Sequence, residues 1–471
     1  MPGTRRRFNQ VLLQRGLALY PALLSMPPLR GTERIAMSLF RLTLSAMSLA
    51  AVMSAAFTAQ AQSPTLPPPE STNPLTLELM KGFPPSPDKV VRLGTILKYP
   101  NARWAYQHLR ELGPTAAVWR GAGAASPLLA APRELDDLPF DDGKGNRLTF
   151  ADWQRNTYTD GLLVLHKGKV IYERSDVGMR AHQPHALLSM SKSLTGLLAT
   201  ELIHEGVIDA GALVSAYLPE LKDSAWGDAT VQQTLDMTTG VQYQENFADP
   251  ASGIFQYLIA GGLFPAPPNY AGPKTVTDFL KTVKKEGQHG AAFQYKSVDT
   301  EVMGWLLQRV TKTPYAELLS QRIWAPLGTQ EDGYVWVDAI GTQLSSVGVS
   351  ATMRDLGRLG EMLRMEGRFN GRQILSAATV AEIRKGADPE KFKAAGMPMR
   401  AGYSYHNQWW IPHDADGTFE AKGLNGQHIH INPAAQLVVV KLSSHPVPNT
   451  AFTQVLDRQA FAALAASLRG Q

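Results

Sequence analysis

Two pairs of short apolar blocks, each pair wrapped around turn residues, read as β-hairpins. Gly161-Leu-Leu-Val-Leu-His166 and Val170-Ile-Tyr-Glu173 flank the turn Lys167-Gly168-Lys169. Far along the chain, His428-Ile-His-Ile431 and Leu437-Val-Val-Val-Lys-Leu442 flank Asn432-Pro433-Ala-Ala-Gln436. The unbroken apolar run of the last strand predicts burial on both faces. Between the hairpins the period becomes helical. Leu194, Leu197, Leu198 and Leu202 follow Ser189, and Gly206 supplies a stop. The same spacing recurs at Val302, Leu306 and Val310, and at Leu356, Leu359, Gly360 and Leu363; a final helix is predicted over about 451–468. Strands near both ends and helices in the middle predict an α/β (α+β) fold. One antiparallel sheet is built from distant segments and flanked by helices, with a mostly helical region at about 205–290.

The first 90 residues have a different texture. Leu42 to Ala59 carries no charge, Arg41 precedes it, and Ala59-Gln60-Ala61 follows it. This is the pattern of a secretory signal peptide at 37–61, with Met37 as its natural start and 1–36 as an over-called extension. Thr4-Arg5-Arg6-Arg7-Phe8 offers a twin-arginine alternative, and a single membrane anchor is the bland one. Removal of the leader predicts an exported protein, periplasmic or secreted, with no stable membrane anchor. Residues 62–90 hold Pro67-Pro68-Pro69, Pro74, Pro84-Pro85 and Pro87, which predicts an extended linker or surface arm before a domain at 91–471.

Composition narrows the chemistry. There is no cysteine among 471 residues, which removes disulfides, thiolate metal sites and cysteine nucleophiles. The formal net charge of +5 resides in the leader, where seven arginines face one glutamate; the other 410 residues carry −1. That body has no electrostatic footprint for nucleic acid. No Gly-rich phosphate loop is present, so neither nucleotide nor other cofactor is implied.

Ser189-Met190-Ser191-Lys192 opens a predicted helix. Residues three apart on a helix are neighbours, so the Lys192 amine can reach the Ser189 hydroxyl. A serine hydroxyl is a weak nucleophile and needs a base beside it. Lysine serves only when burial or nearby positive charge lowers its pKa. Ser191 adjoins Lys192 in sequence and so does not face it. Two further features follow in order: Tyr295-Lys296-Ser297 before a helix, and Gly423-Leu424-Asn425-Gly426-Gln427 before a strand.

That order resembles the serine β-lactamase and penicillin-binding-protein superfamily. Within it the chain is similar to the 6-aminohexanoate-dimer (nylon-oligomer) hydrolases, a carboxylesterase-like branch with the class C β-lactamase fold. The resemblance rests on Tyr158-Thr-Asp-Gly161, Ser189-Met-Ser-Lys-Ser193, Asp236-Met-Thr-Thr-Gly240-Val, Tyr243-Gln-Glu-Asn-Phe-Ala-Asp249-Pro250, Tyr295-Lys-Ser297, Ala351-Thr-Met-Arg-Asp-Leu356, and Gly402-Tyr-Ser-Tyr405 with Trp409-Trp410. It spans about 115–460. It implies a β-lactamase/transpeptidase-like fold and a serine hydrolase of small amides or esters. Ser189 is the implied nucleophile, with Lys192 and Tyr295 as the base and acid pair. The amides of Ser189 and Gln427 are the implied oxyanion hole, and Tyr243, Ser346 and Gly426 the implied substrate contacts. Which of Lys192 and Tyr295 takes the serine proton stays open.

Departures from the pattern matter. Leu424 stands where class C β-lactamases carry a lysine, which argues against efficient β-lactam or transpeptidase chemistry. Ser346 and Ile254 replace an asparagine and an acid of the nylon-oligomer enzymes, which argues against efficient turnover of the nylon dimer itself. A second functional class, a non-catalytic penicillin-binding-like module for peptide or wall fragments, is disfavoured by the presence of all three reactive side chains. His428 and His430 share a strand face, but no carboxylate stands at a suitable spacing, so no metal site is expected. His182 and His185 are candidates for the pocket mouth. Glu245, Asp249 and Asp299 read as loop and cap carboxylates, and of Trp409 and Trp410 one is expected in the core and one at the pocket.

Overall fold

The two predicted hairpins lie side by side in one eight-stranded sheet. Its order is Ser404–His406, Trp409–Ile411, Phe419–Lys422, His428–Asn432, Leu437–Ser443, Thr159–His166, Lys169–Ser175 and Leu129–Ala130. All neighbours are antiparallel except the last pair. The computed structural model describes residues 66–448 and 451–469, so the leader expected at 37–61 lies outside the described residues. From Pro67 onward the chain forms one compact unit.

The distant ends meet where Leu437–Ser443 pairs with Thr159–His166, in register Val439↔Val164 and Val440↔Leu163. Side chains alternate between two cores. Leu163, Leu165, Val438 and Val440 face one, and Leu162, Val164, Leu437 and Val439 the other. Burial of both faces is why these strands read as continuous apolar runs. The Met353–Arg364 helix covers the first face. Gly360 sits where a Cβ would come within 2.5 Å of Val438 Cγ1, so only glycine lets helix and sheet approach this closely. The Ala451–Leu468 helix covers the second face, with Phe461 edge-on to Trp153.

The Ser191–His204 helix is buried at 11 of its 14 residues, which makes it a central helix without a solvent face. A Cβ on Gly196 would lie 2.0 Å from the Asn407 carbonyl oxygen. Residues 205–290 contain four short helices, Val214–Tyr217, Val231–Leu235, Gly253–Ala260 and Val276–Thr282, and no strand of either large sheet. A smaller four-stranded antiparallel sheet orders Thr115–Val118, Gly333–Trp336, Val349–Ala351 and His185–Ala186, the last of which leads directly to Ser189.

The proline-rich residues from Pro67 to about 90 pack on this body. Arg103 Nη1 donates to the Pro69 carbonyl and to Thr72 Oγ1, both at 2.8 Å, while its Nε donates to Asp160 Oδ1 at 3.1 Å. Asp160 is fully buried; it also accepts from Ser444 Oγ at 3.0 Å and faces His185 Nε2 at 3.2 Å. One buried carboxylate thus ties together the arm, a central strand and the segment before Ser189. Removing one member of such a group leaves an uncompensated buried charge.

Gly196 gives a test of the packing. Alanine at an ordinary helix position gains up to about 1 kcal/mol over glycine. Here the steric overlap reverses the sign, and Gly196→Ala is expected to cost about 1–3 kcal/mol. Chemical denaturation of the two proteins checks the direction.

Candidate active site

Presentation of Ser189 starts with the backbone before it. Leu187 N–H donates to the Val349 carbonyl at 2.9 Å, which fixes the end of the short His185–Ala186 strand. Leu188 then adopts φ +48°, a left-handed conformation that is costly for a branched side chain. Ser189 follows in a single 3₁₀ turn, Leu188–Met190, that runs straight into the Ser191–His204 helix. The turn leaves Ser189 half-buried at a cavity wall and puts Lys192 one turn inside.

Lys192 has no accessible surface. Its Nζ donates to Ser189 Oγ at 3.0 Å and to the Ser346 carbonyl at 3.1 Å, and lies 5.2 Å from the centre of the Tyr295 ring. Among the described residues it forms no ion pair. Burial therefore pulls its pKa down to about 8, with Glu245 and Glu301 opposing from a distance. Glu301 also builds the acceptor. Its Oε1 takes the Ser346 N–H at 2.9 Å and the Tyr257 hydroxyl at 2.6 Å, and its Oε2 takes the Ser345 N–H at 3.1 Å. The turn that offers its carbonyl to Lys192 is thus held from behind.

Tyr295 enters just before the Ser297–Thr311 helix. Its ring stacks on Trp410 at 5.5 Å and meets Tyr405 edge-on at 6.0 Å. Burial is the main cause that raises its phenol above the ordinary range, and Glu245 adds to it; the Ser189 hydroxyl and the Arg400 guanidinium pull the other way. Lys296, between Tyr295 and Ser297, points elsewhere and donates to the Thr239 carbonyl at 2.8 Å.

These groups open onto a cavity of about 650 Å³. Ser189, Tyr295, Glu245, Trp410 and Arg400 supply polar or aromatic wall, and Ile254 belongs to a broader apolar lining. Glu245 is the site residue that sequence reading missed, having taken it for a loop carboxylate. Its Oε1 accepts the Ser297 N–H at 2.5 Å, which pins the loop to the start of the Tyr295 helix.

The remaining expected residues fall around this centre. Gln427 follows a turn in which Asn425 and Gly426 have φ of +58° and +97°. Asn425 is held by the Tyr106 hydroxyl at 2.8 Å and by its own donation to the His445 carbonyl at 2.6 Å. Gly423 packs against Leu187, the two backbones being too close for a Cβ at 423. This brings the Gln427 segment alongside the Ser189 turn. Gly426 itself is buried against Ser443 and off the cavity wall. Ser346 lies beneath the floor, fully buried, with its hydroxyl 2.9 Å from the Tyr257 hydroxyl. Tyr243 is buried against Phe279 and off the wall, while Glu245 and Phe247 of the same loop reach it.

Some expectations need correction. His185 is spent on Asp160 and the Ala186 carbonyl, and His182 lies in a separate groove beside the arm, so neither shapes the pocket mouth. Asp299 is a buried acceptor for Trp226 Nε1 at 2.8 Å and the Thr239 hydroxyl; burial raises its pKa to about 6. The carboxylate that sequence spacing denied to His428 and His430 arrives across the sheet. Glu420 Oε1 lies 3.1 Å from His428 Nε2 and 2.9 Å from His430 Nδ1. The three ligand atoms are within 4.8 Å of one another, yet Lys422 Nζ donates to Glu420 Oε2 at 2.8 Å and balances its charge. Trp409 is in the core and Trp410 on the cavity, as their alternation on a strand requires.

Comparison with known proteins agrees with this geometry. Residues 146–464 match the Beta-lactamase family model. The 6-aminohexanoate-dimer hydrolase of Paenarthrobacter ureafaciens is 35% identical over 357 residues, covering 74% of this chain and 87% of that one. A Bacillus anthracis structure assigned as a 6-aminohexanoate-dimer hydrolase superposes with a TM-score of 0.75 at 31% identity, covering 82% of this chain and 98% of that one. EstCE1, a hydrolase with promiscuous acyltransferase activity, shares the fold with a TM-score of 0.51 at 19% identity, covering 66% and 98%.

Burial of Lys192 has a measurable cost. Its native pKa of about 8 lies below the ordinary 10.5, so between these values the unfolded chain binds more protons than the native one. The lysine's contribution to stability therefore rises with pH across that window and is least favourable below it. Lys192→Met is expected to be more stable than wild type by roughly 1–3 kcal/mol at pH 7, with a margin that narrows toward pH 10.5. Denaturant titrations at three pH values test this; a margin that widens with pH would refute it.

Proposed function

The chain belongs to the beta-lactamase family of serine hydrolases, and from that premise we propose that it cleaves small amides or esters through an acyl-enzyme on Ser189. One observation carries the reading: the Lys192 amine sits 3.0 Å from Ser189 Oγ, buried, with no ion-pair partner among the described residues. Neutral Lys192 takes the hydroxyl proton as Oγ attacks the substrate carbonyl carbon. The oxyanion that forms is met by the Ser189 and Gln427 N–H groups; among the described residues neither has another acceptor. Tyr295, kept protonated by burial, gives its proton to the leaving nitrogen or oxygen as the carbonyl–leaving-group bond breaks. The resulting phenolate recovers a proton from the Lys192 ammonium beside it. Water then repeats the cycle on the acyl-serine and releases the acid. This division of roles, open in the sequence, is supported by the opposite directions in which burial moves an amine and a phenol.

The leader supports an exported protein, periplasmic or secreted. N-terminal sequencing of exported protein should then begin at Gln62, and retention of 37–61 in a membrane fraction would count against it.

Activity assays test the chemistry. A fluorophosphonate label or trapped acyl group should map to Ser189 by mass spectrometry. Ser189→Ala and Lys192→Ala should each abolish turnover, and Tyr295→Phe should lower kcat by about 10²–10⁴-fold. Ser191→Ala should keep activity; it loses only the hydroxyl that accepts the Val349 N–H at 3.1 Å. An adduct on Ser191 or Ser193, or full activity in Ser189→Ala, would overturn the assignment. kcat/KM should rise with pH through about 8, as Lys192 sheds its proton. Leu424 puts an uncharged side chain on the cavity wall where a β-lactam carboxylate would meet lysine in class C enzymes, so nitrocefin turnover should be weak beside that of short-chain esters.

A further inference from the structure

Two cationic side chains line the cavity, and they are situated differently. Lys422 is neutralised by Glu420 at 2.8 Å. Arg400, in the 3₁₀ turn Pro398–Arg400, forms no ion pair among the described residues. Its guanidinium carbon lies 3.8 Å from the centre of the Trp410 ring, and its Nε donates to the Gln454 side-chain oxygen at 2.9 Å. Among the described residues Nη1 has only the Met397 sulfur at 3.9 Å, and Nη2 has no partner. The group is half-buried and fixed by a stacking ring and one amide, while among the described residues the two nitrogens at the flat end of the fork meet no oxygen acceptor. Glu420 and the phenols of Tyr295, Tyr403 and Tyr405 are its electrostatic neighbours, and Glu420 is already engaged by Lys422, His428 and His430. A half-buried guanidinium whose terminal amines meet no stronger acceptor than a thioether is the geometry that takes a carboxylate in bidentate fashion. The ring that supports it, Trp410, is the ring on which Tyr295 stacks.

We propose that Arg400 is a specificity-determining residue of this hydrolase, which binds an anionic group, a carboxylate or its equivalent, carried by the substrate. This rests on the cavity being the hydrolytic site, and it deepens that reading by assigning the charge of the substrate. Arg400 takes no part in bond breaking. It holds one end of the substrate while Ser189 attacks the carbonyl.

Matched ester pairs test the proposal. 4-Acetoxybenzoate and 4-acetoxybenzamide differ in charge on the leaving group; phenyl hydrogen adipate and its methyl ester differ on the acyl side. Wild type should favour the anionic member of at least one pair. In Arg400→Gln that preference, the ratio of the two kcat/KM values, should fall about 10- to 100-fold, chiefly through KM, the usual worth of a charge-assisted pair. Arg400→Lys should keep part of it. The pair that responds tells which half of the substrate carries the anion. If Arg400 acted only by tuning Tyr295 or by supporting the loop, both members of each pair would fall together with an altered pH profile, and the unchanged ratio would overturn the proposal. Binding to the Ser189→Ala protein gives a readout that needs no turnover. Calorimetry should show benzoate held at least tenfold more tightly than benzamide, and equal affinities would overturn the proposal. Failure of wild type to cleave the neutral esters would instead count against the acyl-enzyme, leaving the binding difference to stand or fall separately.

Discussion

A lysine amine with no accessible surface and, among the described residues, no ion-pair partner is the constraint around which this molecule is organised. Such a group is costly to bury charged, and here it has only two oxygens to bond, a serine hydroxyl and a backbone carbonyl. Each oxygen must be placed by something rigid. The carbonyl is placed by Glu301, which gathers the Ser345 and Ser346 amides and Tyr257. The hydroxyl is placed by a left-handed Leu188 clamped between a sheet edge and a helix buried around its circumference. The surrounding core thereby sets the protonation of one nitrogen.

Much of this was legible in the chain. Both hairpins, the helix after Ser189, the glycine at 360 and the split of Trp409 from Trp410 all follow from periodicity, because alternation and helical spacing are local properties that tertiary packing here reinforces. Ser189, Lys192 and Tyr295 carry a sequence order that narrows the search sharply. Residues that reach the site from distant segments left no such trace. Glu245 looked like an ordinary loop acid because nothing local reveals that its carboxylate will meet the Ser297 amide. Glu420 was invisible as a partner of His428 and His430 because it faces them only through antiparallel register. Glu301 had a usable signal, since it interrupts the apolar stripe of Val298, Val302 and Leu306 with a charge that must be compensated inside. Ser346 and Gly426, implied as substrate contacts, lie under the wall, where they shape backbone.

Charge is handled differently on the two sides of the cavity. From Lys422 on the cavity wall inward, Glu420, His428, Asp457 and Lys441 continue a chain of mutually satisfied groups, with Lys441 Nζ 2.6 Å from Asp457 Oδ1. Nothing in that chain is left over for a ligand. At the cavity itself Glu245 and Arg400 are unpaired with each other, each held by neutral partners. Full compensation fixes a core, whereas open valences facing a cavity are what a ligand can complete.

The central pairing of the sheet joins residue 166 to residue 437. A contact spanning that much chain has a large loop-closure entropy to overcome, and it cannot form before the second partner has been synthesised. The helix that bears Lys192 is likewise closed by distant chain: Ser193 Oγ donates to the Gln408 carbonyl and Trp409 Nε1 donates to the Ser193 carbonyl. Until the surrounding core is in place the lysine is solvated and keeps the ordinary basicity of an amine, so its lowered proton affinity belongs to the finished fold and to no single segment of it.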